Sequence, residues 1–174
     1  IVNAVGQVIR TLKYEPKTGL NRMYWGLDEK GVRSPSSDKP KPDAPERGGV
    51  TVLPGTYKVR YSYQGASDST TVKVILDPRM DISKSDWAAR YSMMKAHEAK
   101  VALATEAADR LREAKETIDL VMKQLPKEET DASKSIKEQS KALKDSIQAL
   151  METINQKEGM QGIYRDPSIL SSQL

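Results

Sequence analysis

Residues 83–125 read SKSDWAARYSMMKAHEAKVALATEAADRLREAKETIDLVMKQL, a run with no Gly or Pro to break it. Its apolar residues recur at sevens. Trp87, Met94, Val101, Ala108 and Met122 share one register, and Ala104, Leu111, Ile118 and Leu125 share its companion. Spacing of three and four places both rows on one face of a helix, the seam of a coiled coil. Ser83 followed by Asp86 has the form of a capping box at the start, and Pro126 closes the run. The pattern predicts a helix of about 40 residues, roughly 60 Å long at 1.5 Å per residue.

A second helix is expected after a polar turn at residues 127–131. Ile136, Leu143 and Leu150 form one row and Ser140, Ile147 and Ile154 the other, with Gly159 and Gly162 ending the helix. A connection this short makes the two helices antiparallel. Asp166-Pro167 then reads as N-cap and first helical position, and Ile169, Leu170 and Leu174 begin a third apolar stripe.

Upstream the period changes from seven to two. Residues 7–14 are β-branched and bounded by Gly6 and Pro16, and residues 21–27 place Met23, Trp25 and Leu27 on one face. Residues 28–31 read as a turn. Tyr57, Val59, Tyr61 and Tyr63 alternate with Lys58, Arg60 and Ser62, as in a half-buried antiparallel strand, and residues 70–76 supply a last strand through Val72, Val74 and Leu76. Strands at this spacing predict a sandwich. Residues 33–49 carry Pro35, Pro40, Pro42 and Pro45 and read as an exposed, extended loop inside it. The expected fold class is therefore α+β: an Ig-like antiparallel β-sandwich over residues 1–80, then a long antiparallel helical hairpin over 81–174 with the start of a third helix.

Composition narrows the function. The chain has no Cys, which excludes disulfides, thiol catalysis and thiolate metal sites. Its net charge is +4, and residues 1–82 hold 13 Lys and Arg against 9 Asp and Glu while residues 83–174 hold 15 of each. No basic run of five occurs, so nucleic acid is not an expected partner. No stretch of 18 apolar residues exists, so no membrane span is expected. Ile1-Val2 opens directly into strand-like sequence, and together with the short third stripe this reads as a piece of a longer protein. Val121, Met151 and Met160 fall off the shared seam and need cover, which makes a helix-mediated homodimer an expectation too.

No catalytic constellation emerges. His97 stands alone within the first helix, where packing is its ordinary role, and no calcium-loop spacing or paired carboxylates occur. No cofactor or metal is expected. Trp25, Tyr57, Tyr61 and Tyr63 could stack on sugar rings or fill the core. Trp25 shares its face with Met23 and Leu27, which assigns it to the core and leaves Tyr14 and Tyr24 as the surface-binding candidates.

Gly6-Gln7-Val8-Ile9-Arg10-Thr11-Leu12, Gly19-Leu20-Asn21-Arg22-Met23-Tyr24-Trp25 and Pro54-Gly55-Thr56-Tyr57-Lys58-Val59-Arg60 form an ordered set. The set resembles the Ig-like domain of flagellar hook-capping proteins. With Asp77-Pro78-Arg79 and the helices that follow, it resembles more closely the C-terminal region of sortilin-like, Asp-box (sialidase-type) repeat proteins of Bacteroidetes, labelled glycosyl hydrolases. Gly26 stands where that family usually has Asp after the Trp. The resemblance implies an exported, periplasmic or cell-surface protein with a β-propeller upstream. This chain would be its non-catalytic accessory or interaction module, and any hydrolase site would belong to the propeller. The alternatives are a carbohydrate- or protein-binding module, or a segment that completes the parent's substrate cleft.

Overall fold

A computed structural model describes residues 1–36, 38–126, 130–155 and 168–173. The fold is mixed α+β. Its described strands are β1 (Asp28–Lys30), β2 (Gly48–Thr51), β3 (Gly55–Tyr63) and β4 (Ala66–Val74), followed by helices α1 (Lys84–Gln124), α2 (Asp131–Ile154) and the short α3 (Leu170–Gln173). The strands form two antiparallel two-stranded sheets, β1 with β2 and β3 with β4. The chain divides into two compact units, residues 1–32 with 39–99 and residues 33–38 with 100–174. The division falls inside α1, whereas the sequence reading drew its line at residues 80 and 81.

In the first unit, β3 and β4 are the strands expected from the Tyr/Val alternation. They pair in unbroken register from Gly55–Val74 to Tyr63–Ala66. Residues 7–14 and 21–27 are not strands. The chain instead reverses at Asn3, whose Oδ1 accepts the Gln7 N–H at 2.9 Å, with Gly6 at φ 84°. Short backbone contacts then relay between the sheets. Val2 exchanges bonds of 2.8 and 2.9 Å with Lys58, Ile9 N–H donates to Ile1 O at 3.0 Å, and Lys30 N–H donates to Ile9 O at 2.7 Å. The expected turn at residues 28–31 is thus largely β1, drawn into pairing by β2. Gly31 and Gly49 permit that approach, since a Cβ on Gly49 would lie 2.6 Å from Gly31 Cα.

The core of this unit is small: Val2, Val50, Val52 and Tyr57 are buried, with the Arg10 side chain among them. Trp25 is half-buried at the edge of this core, where it meets Tyr57 edge to face at 5.5 Å and 67° and its Nε1 donates to Asp28 O at 2.9 Å. Met23 and Tyr61 and Tyr63 are exposed, contrary to expectation. The β3–β4 ribbon runs beyond the core, and its outer residues, 60–71, are exposed.

The start of α1 also belongs to this unit. Ser83 Oγ accepts the Asp86 N–H at 3.1 Å, as the capping pattern predicts. Trp87, Tyr91, Lys95, His97 and Glu98 are its less exposed residues, while Met94, placed in the seam by the sequence reading, is exposed. Polar groups hold this stretch. Tyr91 Oη donates to Glu29 Oε1 at 2.5 Å, Lys95 Nζ donates to Glu29 Oε2 at 3.0 Å and Glu98 Oε2 at 2.8 Å, and Glu98 Oε1 accepts the Val50 N–H at 3.2 Å.

In the second unit the α1 seam is as read: Ala104 and Ala108 are buried, and Val101, Leu111, Ile118, Met122 and Leu125 are half-buried. α2 starts at a reciprocal cap in which Thr130 Oγ1 accepts the Ser133 N–H at 3.1 Å and Ser133 Oγ accepts the Thr130 N–H at 3.0 Å. Lys144 Nζ lies 2.5 Å from Asp119 Oδ1, and Lys115 Nζ lies 3.4 Å from Gln148 Oε1. Rising number on one helix meets falling number on the other, so the two are antiparallel here.

One α2 row needs correction. Ile147 and Ile154 are buried, but Ile136, Leu143 and Leu150 are exposed. The companion inner row is Lys137, Lys144 and Met151. Long lysine stems can lie along an apolar seam while the ammonium reaches outward, as Lys144 does toward Asp119.

Residues 33–36 correct the loop reading as well. Pro35 is fully buried. Arg33 pairs with Asp109, Arg112 donates to Pro35 O and pairs with Asp109 at 2.9 Å, and Thr105 Oγ1 donates to Arg33 O at 2.5 Å. Only the later part of the stretch, residues 38–43, is uniformly exposed. Ile169 is buried and α3 lies against α2. The expected helix ends at Gly159 and Gly162, the polar turn at 127–129, the Asp166-Pro167 cap, Met160 and Leu174 lie outside the described residues.

Candidate functional site

The surface-binding candidates from sequence are both at the surface. Tyr24 is 78% exposed and Tyr14 44%, and Tyr14 Oη lies 3.4 Å from Asn21 Oδ1. Nothing in the hydrogen bonds or ring contacts joins Tyr14 to Tyr24. Two further tyrosines, Tyr61 and Tyr63, stand two residues apart on one face of β3, and Tyr61 Oη donates to Asp68 Oδ2 at 2.9 Å. The sequence signal for them existed, since alternation marks a shared face, but alternation does not say whether that face is covered.

His97 is half-buried on α1. Among the described residues no group of three or more His, Cys, Asp or Glu is placed to hold a metal ion, and no helix is long and apolar enough to cross a membrane. Glu29, Tyr91, Lys95 and Glu98 form an ionisable cluster. Burial, with the Glu29 carboxylate adding to it, raises the Tyr91 phenol to about 12. For Lys95 burial acts downward, but its bonds to Glu98 and Glu29 outweigh it and raise the ammonium to about 12. A phenol held protonated and an ammonium held charged are poor bases, so this cluster reads as a clamp between α1 and the β1–β2 sheet.

The most distinctive surface lies on α2. Ile136, Leu143 and Leu150 share a face with Ala132, Ala142 and Ala149 and with Ser135, Gln139, Ser146 and Thr153, and every one of these residues is exposed. None carries a charge in a chain that is 30% charged. The charges of α2 sit elsewhere: Lys134, Lys137, Lys141 and Lys144 on the side that includes the seam, and Asp131, Glu138, Asp145 and Glu152 in one row along the outer border. Next to Leu150 the face opens into a groove of about 610 Å³ lined by Leu103, Ala107 and Leu111 of α1 and by Thr153 and Ile154 of α2. Its charged lining is the ion pair of Glu106 with Arg110 at 2.6 Å. A solvated helix face ordinarily carries mixed charges, and one without them is suited to being covered.

Comparison of the chain with protein-family models, with curated proteins and with solved structures finds no match.

Proposed function

We propose that this chain is a non-catalytic accessory module of a larger exported protein, and that its helical unit docks on a neighbouring part of that protein and holds it in place. The observation that carries the reading is the uncharged face of α2, centred on Leu143 and Leu150 and continued by the groove at Leu103. The occupant that fits is an amphipathic helix. Its apolar stripe would lie on Ile136, Leu143 and Leu150, and its basic border would meet Asp131, Glu138, Asp145 and Glu152. A second α2 laid antiparallel on this face would oppose two acidic rows, which disfavours the helix-mediated homodimer.

The resemblance to sortilin-like, Asp-box repeat proteins supplies the context: a parent with an upstream β-propeller, whose propeller-bearing remainder would supply the helix in cis, a periplasmic or cell-surface location, and a hydrolase site, where there is one, that lies in the propeller. In the same reading the two small sheets and the Val2 and Ile9 relay are the inner part of an Ig-like sandwich. The experiment is to express the propeller-bearing remainder separately and titrate it with this chain. Leu143→Asp with Leu150→Asp should keep the helical circular dichroism and weaken association at least tenfold. Association that is absent, or unchanged in the double variant, refutes the docking role.

A second reading, glycan binding, is favoured by the exposure of Tyr24 and by Tyr61 and Tyr63 on one strand face. Stacking on a sugar ring needs such flat, accessible aromatics. Loss of retention on immobilised polysaccharide in Tyr61→Ala with Tyr63→Ala would support it, and no retention of the unaltered chain would dismiss it.

A further inference from the structure

We infer that the open edge of β4, with the groove at its end, is a docking site for an extended peptide strand that carries a carboxylate beside a large apolar side chain. Three observations in the first unit converge on it. Lys58 gives both its backbone groups to Val2, so Tyr57 and Val59 face β4, and alternation turns the backbone of Ser67, Ser69, Thr71 and Lys73 away from β3. Among the described residues nothing pairs with that edge. Backbone donors and acceptors in such a row accept another strand, and a two-stranded ribbon gains stability from one.

The second observation is a cavity. At the end of β4 a space of about 180 Å³ opens among Val52, Val74, Leu76, Met80, Ile82 and Trp87, enough for one large apolar side chain; the one carboxylate in its lining, Asp77, is paired with Arg79 at 2.6 Å. The third is charge. A wider groove of about 520 Å³ adjoins it, bounded by Pro54 and Ile75 and by Lys73 and Lys84, with no carboxylate in its lining. Neither lysine has an ion pair among the described residues. A strand added to β4 would hydrogen-bond through its backbone, seat one side chain in the cavity and place a carboxylate between the two lysines. Backbone pairing supplies the attachment and the pocket and lysines supply the selection. These residues are separate from the α2 face, so the two proposals stand or fall independently.

The probe is an end-blocked, fluorescein-labelled peptide, Thr-Val-Thr-Leu-Glu-Leu, titrated with the full chain and followed by anisotropy. Saturable binding is expected, weakened about fivefold when either Lys73→Glu or Lys84→Glu is introduced and when the probe's Glu is replaced by Lys. Thr71→Pro removes an outward N–H without touching the β3 pairing, and it should abolish binding while β3–β4 amide resonances persist. Equal binding of the Glu and Lys probes, or full binding to the Thr71→Pro variant, overturns the inference. So does a concentration-dependent dimer of the chain that Thr71→Pro dissolves, because a second copy would then be the occupant.

Discussion

Replacing Ile147 and, separately, Leu143 by Ala tests the register of α2 most sharply. Both are large apolar residues four positions apart on one helix, but Ile147 is 5% exposed and Leu143 is 53% exposed. Truncating Ile147 removes buried methyl groups from the seam with α1 and leaves a space its neighbours fill only in part. Such changes cost about 2–5 kcal/mol in full cores, and a two-helix seam near the surface should give the lower end, about 2–3 kcal/mol. Leu143 already has half its surface in water, so its removal leaves no cavity and should cost less than about 1 kcal/mol, offset slightly by the helix preference of Ala. For a chain of this length, 1 kcal/mol moves the midpoint by about 2–4 °C. Thermal melts followed by circular dichroism should therefore show a loss of about 4–12 °C for Ile147→Ala and under about 4 °C for Leu143→Ala. A larger loss for Leu143 than for Ile147 would refute the seam described above and restore the row of Ile136, Leu143 and Leu150 as the inner one.

Tyr91→Phe deletes the hydroxyl that donates to Glu29 and should cost about 1–2 kcal/mol in urea unfolding at neutral pH, a hydrogen bond to a charged acceptor being at stake. Because Tyr91 and Lys95 are both raised in the folded chain, from 10.0 and 10.5 to about 12, their contribution is complete below about pH 10 and is lost as pH rises toward 12. Alkaline melts should show that loss in the parent chain and a smaller one in Tyr91→Phe; parallel curves would contradict it. Arg33→Ala should unpin residues 33–36 from α1, seen as faster amide exchange at Ser34 and Ser36 with little change at Ile147, whereas unchanged exchange would mean that Pro35 alone anchors the segment. The purified chain should hydrolyse neither glycosides nor peptides, and turnover that survives removal of contaminants would overturn the accessory role.

What the sequence disclosed depended on how local the determining force was. The long helix was legible because its seam repeats every seven residues and no Gly or Pro interrupts it, and β3 and β4 were legible because neighbours on one strand alternate. On α2 the sequence placed two rows in the seam, one of three apolar residues and one of two apolar residues with Ser140. The inner one is shared with Lys137 and Lys144, so residue type alone pointed to the leucines. The strand expected at residues 7–14 failed for a distant reason: its bonding partners are Ile1 and Lys30, and the Asn3 turn places only a residue or two in range. Residues 33–36 looked like loop because their anchors, Asp109 for Arg33 and Arg112 for Pro35 O, lie more than seventy positions away. Tyr14 and Tyr24, which lie off the Trp25 face, are exposed. The charge-free face of α2 was present in the sequence as a gap among the charges, visible only once the helix had its true register.

Hydroxyl-radical footprinting of Leu143 and Leu150 tests the docking account most directly, because it reads side-chain exposure in any context. In the isolated chain both should react as exposed leucines, faster than Ile147. In the protein extracted from its native cell as part of the larger assembly, both should fall to the level of Ile147 while Leu20, exposed in the other unit, keeps its reactivity. Equal reactivity of Leu143 and Leu150 in the two settings would contradict the account, since the face would then be open to water wherever the chain works.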